Sequence, residues 1–384
     1  MIARLIVALA MLCAAAASAQ PLRVVYVGLD RDPYYEPQPL YTGLSLKDRA
    51  RPVDGARLAA RGARIMGRAL GLTFGLDEIL LAPGQSPAAA LRAALDGGAA
   101  AALLDLPADL MARAVAAALP GDTLINIRDK ADRWRGADCA PALLHAMPSR
   151  AMLADALAQH LRRQGWDRIL LLRGDGPDDA EDAEAAARAA AKFGLTIVAT
   201  RDFALTNDPR RRDLSNIKLL SGRPAHDVIW LVDGAGEFGR YVPYATQSPR
   251  PVVGTEGLTA RAWHWTWERN GAPQLNQRFR RLADRDMDEG DFAAWAGMRA
   301  VIEAGIAATK GGAIRDIIRS EGFALDLYKG VRGGFRPWDG QLRQPILLVT
   351  HNAVIAAAPL DGFEHQRDTL DTLGVDARET ACTR

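Results

Sequence analysis

Four cationic side chains and one indole fall within a single short stretch: Arg128, Lys130, Arg133, Trp134 and Arg135. Arginine forks bind carboxylates in a two-pronged manner and indole faces stack on planar rings, so this grouping suits a flat, polyanionic, conjugated ligand. Arg133 and Arg135 have a second possible use, as surface ion-pair partners of Asp129, Asp132 or Asp138. Trp263, Trp265 and Trp267 alternate along another segment. On an extended chain they share one face, which either stacks on a ligand or packs on neighbouring structure. The acids Asp30, Asp105 and Asp233 could trade protons across a cleft. No nucleophile elbow, zinc helix, phosphate loop or dinucleotide fingerprint accompanies them. His145, His160, His226, His264, His351 and His365 lack ligand spacing, so no metal site is expected. The chemistry these residues suggest is capture of a ligand, with no enzyme activity and no required cofactor.

Strands must position such groups. Residues 24–29, 101–106, 124–127, 169–172, 197–199 and 228–232 are short, nearly continuous apolar runs, the pattern of parallel strands covered on both faces. Helical patterns separate them. The expected fold is α/β, with two doubly wound parallel-sheet lobes joined by a multi-strand hinge. Residues 20–148 open lobe 1, and Pro148-Ser149 starts the helix that crosses into lobe 2 at residues 149–257. Residues 258–384 return to lobe 1, with hinge crossings and a carboxyl-terminal tail. This last part carries Phe292, Trp295, Ile302 and Ile306 on one helix face, then an apolar run at 346–349.

Ligands of such sheets bind beyond the carboxyl ends of the strands. That rule nominates Asp30, Tyr34 and Tyr35, then Asp105, then the loop from Arg128 to Arg135 in lobe 1. Asp175 and Asp233, followed by Glu256, hold the matching places in lobe 2. Elsewhere the patterns read structurally. Leu58, Ile65, Met66, Ala69 and Leu70 form the expected inward stripe of a helix whose solvated face carries Arg57, Arg61, Arg64 and Arg68. A second helix, at about 178–193, gathers acids in its first half and places Arg188 and Lys192 in its second, which complements the helix dipole.

Arg4, an apolar run from Leu5 to Ala16, and Ala17-Ser18-Ala19 before Gln20 have the form of a cleavable signal peptide at residues 1–19, which implies export to the periplasm. The run is shorter than a membrane span needs. A net charge of +2 over 384 residues suggests neither nucleic acid nor an anionic membrane surface as a bulk partner, and the expected product is a monomer. Cys13 leaves with the signal. Cys139 and Cys382 then remain, either as two free thiols or as a disulfide tying the tail to the middle of the chain.

In its order of strands, helices and crossings, the chain resembles the type I periplasmic substrate-binding proteins of ABC transporters, the branched-chain amino-acid binding group. The segments CAPALLHAMPSRAMLADAL (139–157), FRPWDGQLRQPILL (335–348) and LDTLGVD (370–376) are similar to the subfamily associated with pyrroloquinoline quinone-dependent alcohol dehydrogenase systems. The resemblance implies an ABC permease and ATPase on separate chains as partners. It also implies pyrroloquinoline quinone, a planar tricarboxylate, as the captured ligand. The alternatives are a metabolite of alcohol catabolism, or an accessory role beside a periplasmic quinoprotein dehydrogenase. Amino-acid binders of this group present small hydroxyl residues and free amides after the third strand, where this chain has Asp105-Leu106-Pro107-Ala108.

Overall fold

In the computed structural model the chain is described at residues 20–37, 40–43 and 49–382; the signal-peptide assignment lies outside them. The first unit runs β1 (Gln20–Leu29), α1 (Val53–Ala69), β2 (Leu72–Leu81), α2 (Pro87–Asp96), β3 (Ala99–Leu104), α3 (Ala108–Ala116), β4 (Leu124–Asn126) and β5 (Leu143–His145). Its five strands form one parallel sheet in the order β2-β1-β3-β4-β5. The second unit runs α4 (Arg150–Gln164), β6 (Arg168–Arg173), α5 (Asp179–Lys192), β7 (Thr196–Asp202), α6 (Ile217–Leu220), β8 (Val228–Val232), α7 (Val242–Ala245) and β9 (Val252–Gly254). Its sheet, also parallel, has the order β7-β6-β8-β9. The expected class, two parallel-sheet α/β lobes, is the one observed.

The apolar runs became strands because both faces of each sheet are covered. Val24, Tyr26, Leu103 and Ile125 point into one core, while Val25, Val27, Leu104 and Leu124 point into another on the opposite face. Lobe 2 repeats the arrangement, with Ile169, Leu171 and Trp230 on one side and Leu170, Leu172 and Leu231 on the other. β2 is an edge strand with a largely half-exposed surface interrupted by Asp77 and Glu78, and the apolar residues of β5 end at once on His145, so neither formed a recognisable apolar run.

From residue 258 the chain forms β10 (Thr259–Arg261), α8 (Ala272–Ala283), α9 (Glu289–Ala308), α10 (Ile314–Arg319), the hairpin β11 (Leu325–Asp326) and β12 (Arg332–Gly333), then β13 (Ile346–Val349) and β14 (Val354–Ala358). α9 packs on α1, β1 and β3 and so returns to lobe 1. β13 does not belong to lobe 1 alone. It is the middle strand of a three-stranded antiparallel sheet, β10-β13-β14. Leu347 and Val349 join the lobe 1 core, while Ile346 and Leu348 join that of lobe 2.

The expected inward stripe of α1 is corrected. Ile65 is 79% exposed, Met66 55% and Leu70 45%. The buried face is instead Val53, Gly55, Ala56, Leu58, Ala59, Ala63 and Gly67. Small residues let α9 approach so closely that a Cβ on Gly55 would stand 1.9 Å from the Asp291 carbonyl oxygen. Arg57 is not simply solvated either, since it bridges Asp54 and Glu78.

Cys139 and Cys382 form a disulfide, with Cα atoms 5.6 Å apart. The tail leading to it crosses both lobes. Lys192 of lobe 2 donates to the Thr372 and Gly374 carbonyls and to Asp155. Buried Arg336 holds Asp371 and the Leu370 and Leu373 carbonyls, and the Thr380 hydroxyl donates to the Arg135 carbonyl.

Candidate functional site

The carboxyl ends of β1, β3 and β4 bring together Tyr26, Asp32, Tyr34, Tyr35, Asp105 and Arg128. Asp105, with no exposed surface, sits at the end of β3. It accepts from the Tyr26 hydroxyl and, at 2.7 Å, from that of Tyr35. The Arg128 guanidinium lies 3.8 Å from Asp105 and forms a hydrogen-bonded ion pair with Asp32, which is 3% exposed. Burial pushes the Asp105 carboxyl up against the pull of Arg128. Burial and the adjoining Asp105 charge raise both tyrosine hydroxyls far above their ordinary value, which keeps them as donors.

This network consumes its own charges, and the open chemistry lies on its outer side. Tyr34 is 42% exposed, with the Arg49 and Arg128 guanidinium carbons 4.1 and 4.4 Å from its ring centroid. Arg51 lies 5.3 Å from the Tyr35 ring and donates to the Asp30 carbonyl. Arg49 has no carboxylate partner among the described residues. A guanidinium stacked on a partly exposed ring, with no carboxylate partner among the described residues, is a surface that accepts a planar anion.

Lobe 2 meets this face. The Thr42 amide, in the loop after β1, donates to the Glu237 carboxylate, in the loop after β8, at 2.8 Å. The strand-end loops of the two sheets therefore oppose one another. Asp233 braces its own loop by accepting from the amides of Gly236 and Gly239, and Asp175 is exposed. Asp179, the first residue of α5, is 1% exposed and ties the two lobe 2 loops by accepting from Gly176 and Gly234.

Several expected ligand contacts lie in the interior or on other surfaces. Arg135 is 2% exposed and donates to the Gln341 side chain and to the Asp129, Ala131 and Met147 carbonyls. Desolvation lowers its pKa to about 10. Trp134 is 3% exposed, with its ring nitrogen bonded to Asp129. Arg133 pairs with Asp138 at the surface, and Lys130 with Glu289. Trp263 is a core residue stacked on Phe292 and bonded to Asn276. Trp267 is also packed away, bonded to the Tyr328 carbonyl, while Trp265 is 41% exposed beside His264. The physical reasons differ: Arg135 and Trp267 close loop carbonyls over a core, Trp134 and Trp263 bury their rings with the ring nitrogen satisfied by a side chain, and Arg133 and Lys130 are used in ion pairs.

Tyr34, Tyr35, Asp105 and Arg128 thus come together, with Asp30 tied to them through its carbonyl and Arg51, whereas Lys130, Arg133, Trp134, Arg135, Trp263 and Trp265 do not join them. The sequence reading missed Tyr26, Arg49, Arg51 and Glu237 as members of this region. Tyr26 read as a core strand residue. Arg49 and Arg51 lie before α1, far enough past the first strand that strand-end position did not nominate them. Among the described residues no group of three or more His, Cys, Asp and Glu side chains could hold a metal ion, and no helix is long and apolar enough to cross a membrane.

No protein family and no curated protein matches this sequence. Solved structures do match. An amino acid ABC transporter substrate-binding protein from Pseudomonas fluorescens Pf-5 superposes with a TM-score of 0.69 at 15% identity, covering 96% of this chain and 100% of that one. A periplasmic binding protein from Burkholderia mallei gives 0.63 at 14% identity, covering 95% and 99%. A solute-binding protein of an ABC transporter from R. palustris, in complex with benzoate, gives 0.63 at 12% identity, covering 95% and 100%. At these identities the likeness concerns architecture, and in architecture the chain is a type I periplasmic binding fold.

Proposed function

We propose that this chain is the periplasmic solute-binding component of an ABC importer and that its ligand is a planar aromatic carboxylate, with pyrroloquinoline quinone or a related polycarboxylate as the leading candidate. The observation that carries the reading is Arg49 and Arg128 beside the exposed ring of Tyr34, at strand ends that oppose a second lobe. The ring holds both guanidiniums in place, and Arg49, with no carboxylate partner among the described residues, offers a fork for a carboxylate and a flat face for a conjugated ring. The benzoate bound by a fold neighbour supports an aromatic carboxylate as a ligand class for this architecture. The role is binding and not catalysis. Ligand touching both lobes favours the closed arrangement, which separate permease and ATPase chains then read.

Titration calorimetry on the chain expressed from Gln20, with pyrroloquinoline quinone and with benzoate, tests the reading. Binding of at least one is expected. Arg49→Met should weaken it by about 10- to 150-fold, the value of one charge-assisted hydrogen bond of about 1.5–3 kcal/mol. Arg133→Ala should leave it unchanged, because Arg133 is engaged at the surface with Asp138. Absence of heat with both compounds, or equal losses in the two variants, would overturn the assignment.

A further inference from the structure

The outer half of α1 carries a surface that the ligand cleft does not use. Arg61, Arg64, Ile65, Met66, Arg68 and Leu70 are all exposed, and α8 packs alongside with Arg278 and Arg281 exposed as well. Between the two helices runs a shallow groove of about 270 Å³, with Leu58, Gly62 and Leu282 for its floor and Arg61, Arg278 and Arg281 for its rim. Arg61, Arg64, Arg68 and Arg281 have no carboxylate partner among the described residues. Arg278 is spent on its own helix and on the Tyr328 hydroxyl. An apolar floor flanked by Arg61 and Arg281, two guanidiniums without a carboxylate partner among the described residues, is complementary to apolar side chains flanked by carboxylates. The concave floor favours an inserted side chain over a flat lipid surface.

Its place in the fold limits what such contact can do. β2 starts at Leu72, opposite Gln20 at the start of β1, so residues 61–70 lie at the end of the sheet where strands begin. The cleft lies at the other end. We infer that the α1–α8 groove is a docking surface for an acidic protein partner, one that presents leucine-like side chains among carboxylates, and that this partner binds whether or not the cleft holds ligand.

Fluorescence anisotropy with a labelled twelve-residue peptide of alternating leucine and glutamate tests this. Saturable, salt-sensitive binding is expected. It should fall at least tenfold in the Arg61→Glu/Arg281→Glu double variant and at least tenfold for an all-glutamate peptide, with benzoate causing no change. Both substitutions are at exposed positions, and circular dichroism checks that the variant is folded. Equal binding by the variant or by the all-glutamate peptide would overturn the proposal. So would binding to phosphatidylglycerol vesicles but not to the peptide, or concentration-dependent dimerisation abolished by the same variant.

Discussion

Replacing Gly55 by Ala tests how closely α1 and α9 approach, against Gly62→Ala in the same helix as its control. At Gly55 the new methyl would meet the Asp291 carbonyl oxygen at 1.9 Å and the Asp291 carbonyl carbon at 2.7 Å. An ordinary C···O approach is about 3.3 Å, so the helices must part locally by about 1.4 Å. Neither atom is the end of a flexible side chain, so the relief must come from backbone. Overpacking of this kind costs about 1–3 kcal/mol, and alanine recovers about 1 kcal/mol of helix propensity. Taking the upper end for a backbone collision leaves about 2 kcal/mol of destabilisation. Gly62 is exposed with nothing within 4 Å, so there the propensity gain stands alone, about 0.8–1 kcal/mol in the stabilising direction. Urea unfolding followed by circular dichroism reads both. Arg49 and Arg51 directly precede α1, so Gly55→Ala should also weaken ligand binding, which Gly62→Ala should not. Two variants shifted in the same direction, or Gly55→Ala as stable as the parent, would refute the close approach.

Three other outcomes follow from the structure. Arg128→Ala strips the guanidinium from two buried carboxylates, Asp32 and Asp105, and should cost about 3–5 kcal/mol in urea unfolding; a loss like that at an exposed arginine would contradict the network. Burial pushes the Asp155 carboxyl up to about 6 in spite of Lys192. A folded pKa above the unfolded value stabilises on the acid side, and that contribution is lost as pH rises from about 4 to 6. Asp155→Asn should therefore gain about 2 kcal/mol on the parent between about pH 4.5 and pH 7, and a pH-independent difference would count against it. Cys139→Ser/Cys382→Ser opens a loop closed across 243 positions and should cost about 2–5 kcal/mol; an unchanged urea midpoint would mean that the tail is held by Arg336 and Lys192 without the disulfide.

The lobes were legible because uninterrupted apolar runs leave a buried parallel strand as their simplest outcome, and the strand-end rule then led to Asp30, Tyr34, Tyr35, Asp105 and Arg128. The buried face of α1 was not legible, because helix contact there is made by glycine and alanine while Ile65 and Met66 face outward. Arg135 misled for a different reason. Its acceptors come from residues 129, 131, 147 and 341, and a partner 206 positions away leaves no local trace. The cysteine pairing stayed open in the sequence because only a Cα separation decides it.

Successive side chains of β13 belong to different cores, Ile346 and Leu348 to one and Leu347 and Val349 to the other. An isolated lobe would keep half of this strand's contacts and expose the other half to water. The four residues of β13 therefore couple the two halves of the molecule thermodynamically, alongside the tail that Lys192 and the disulfide hold to both. Cutting the gene at the hinge should yield two insoluble fragments, and heating the intact chain should melt both lobes in a single transition.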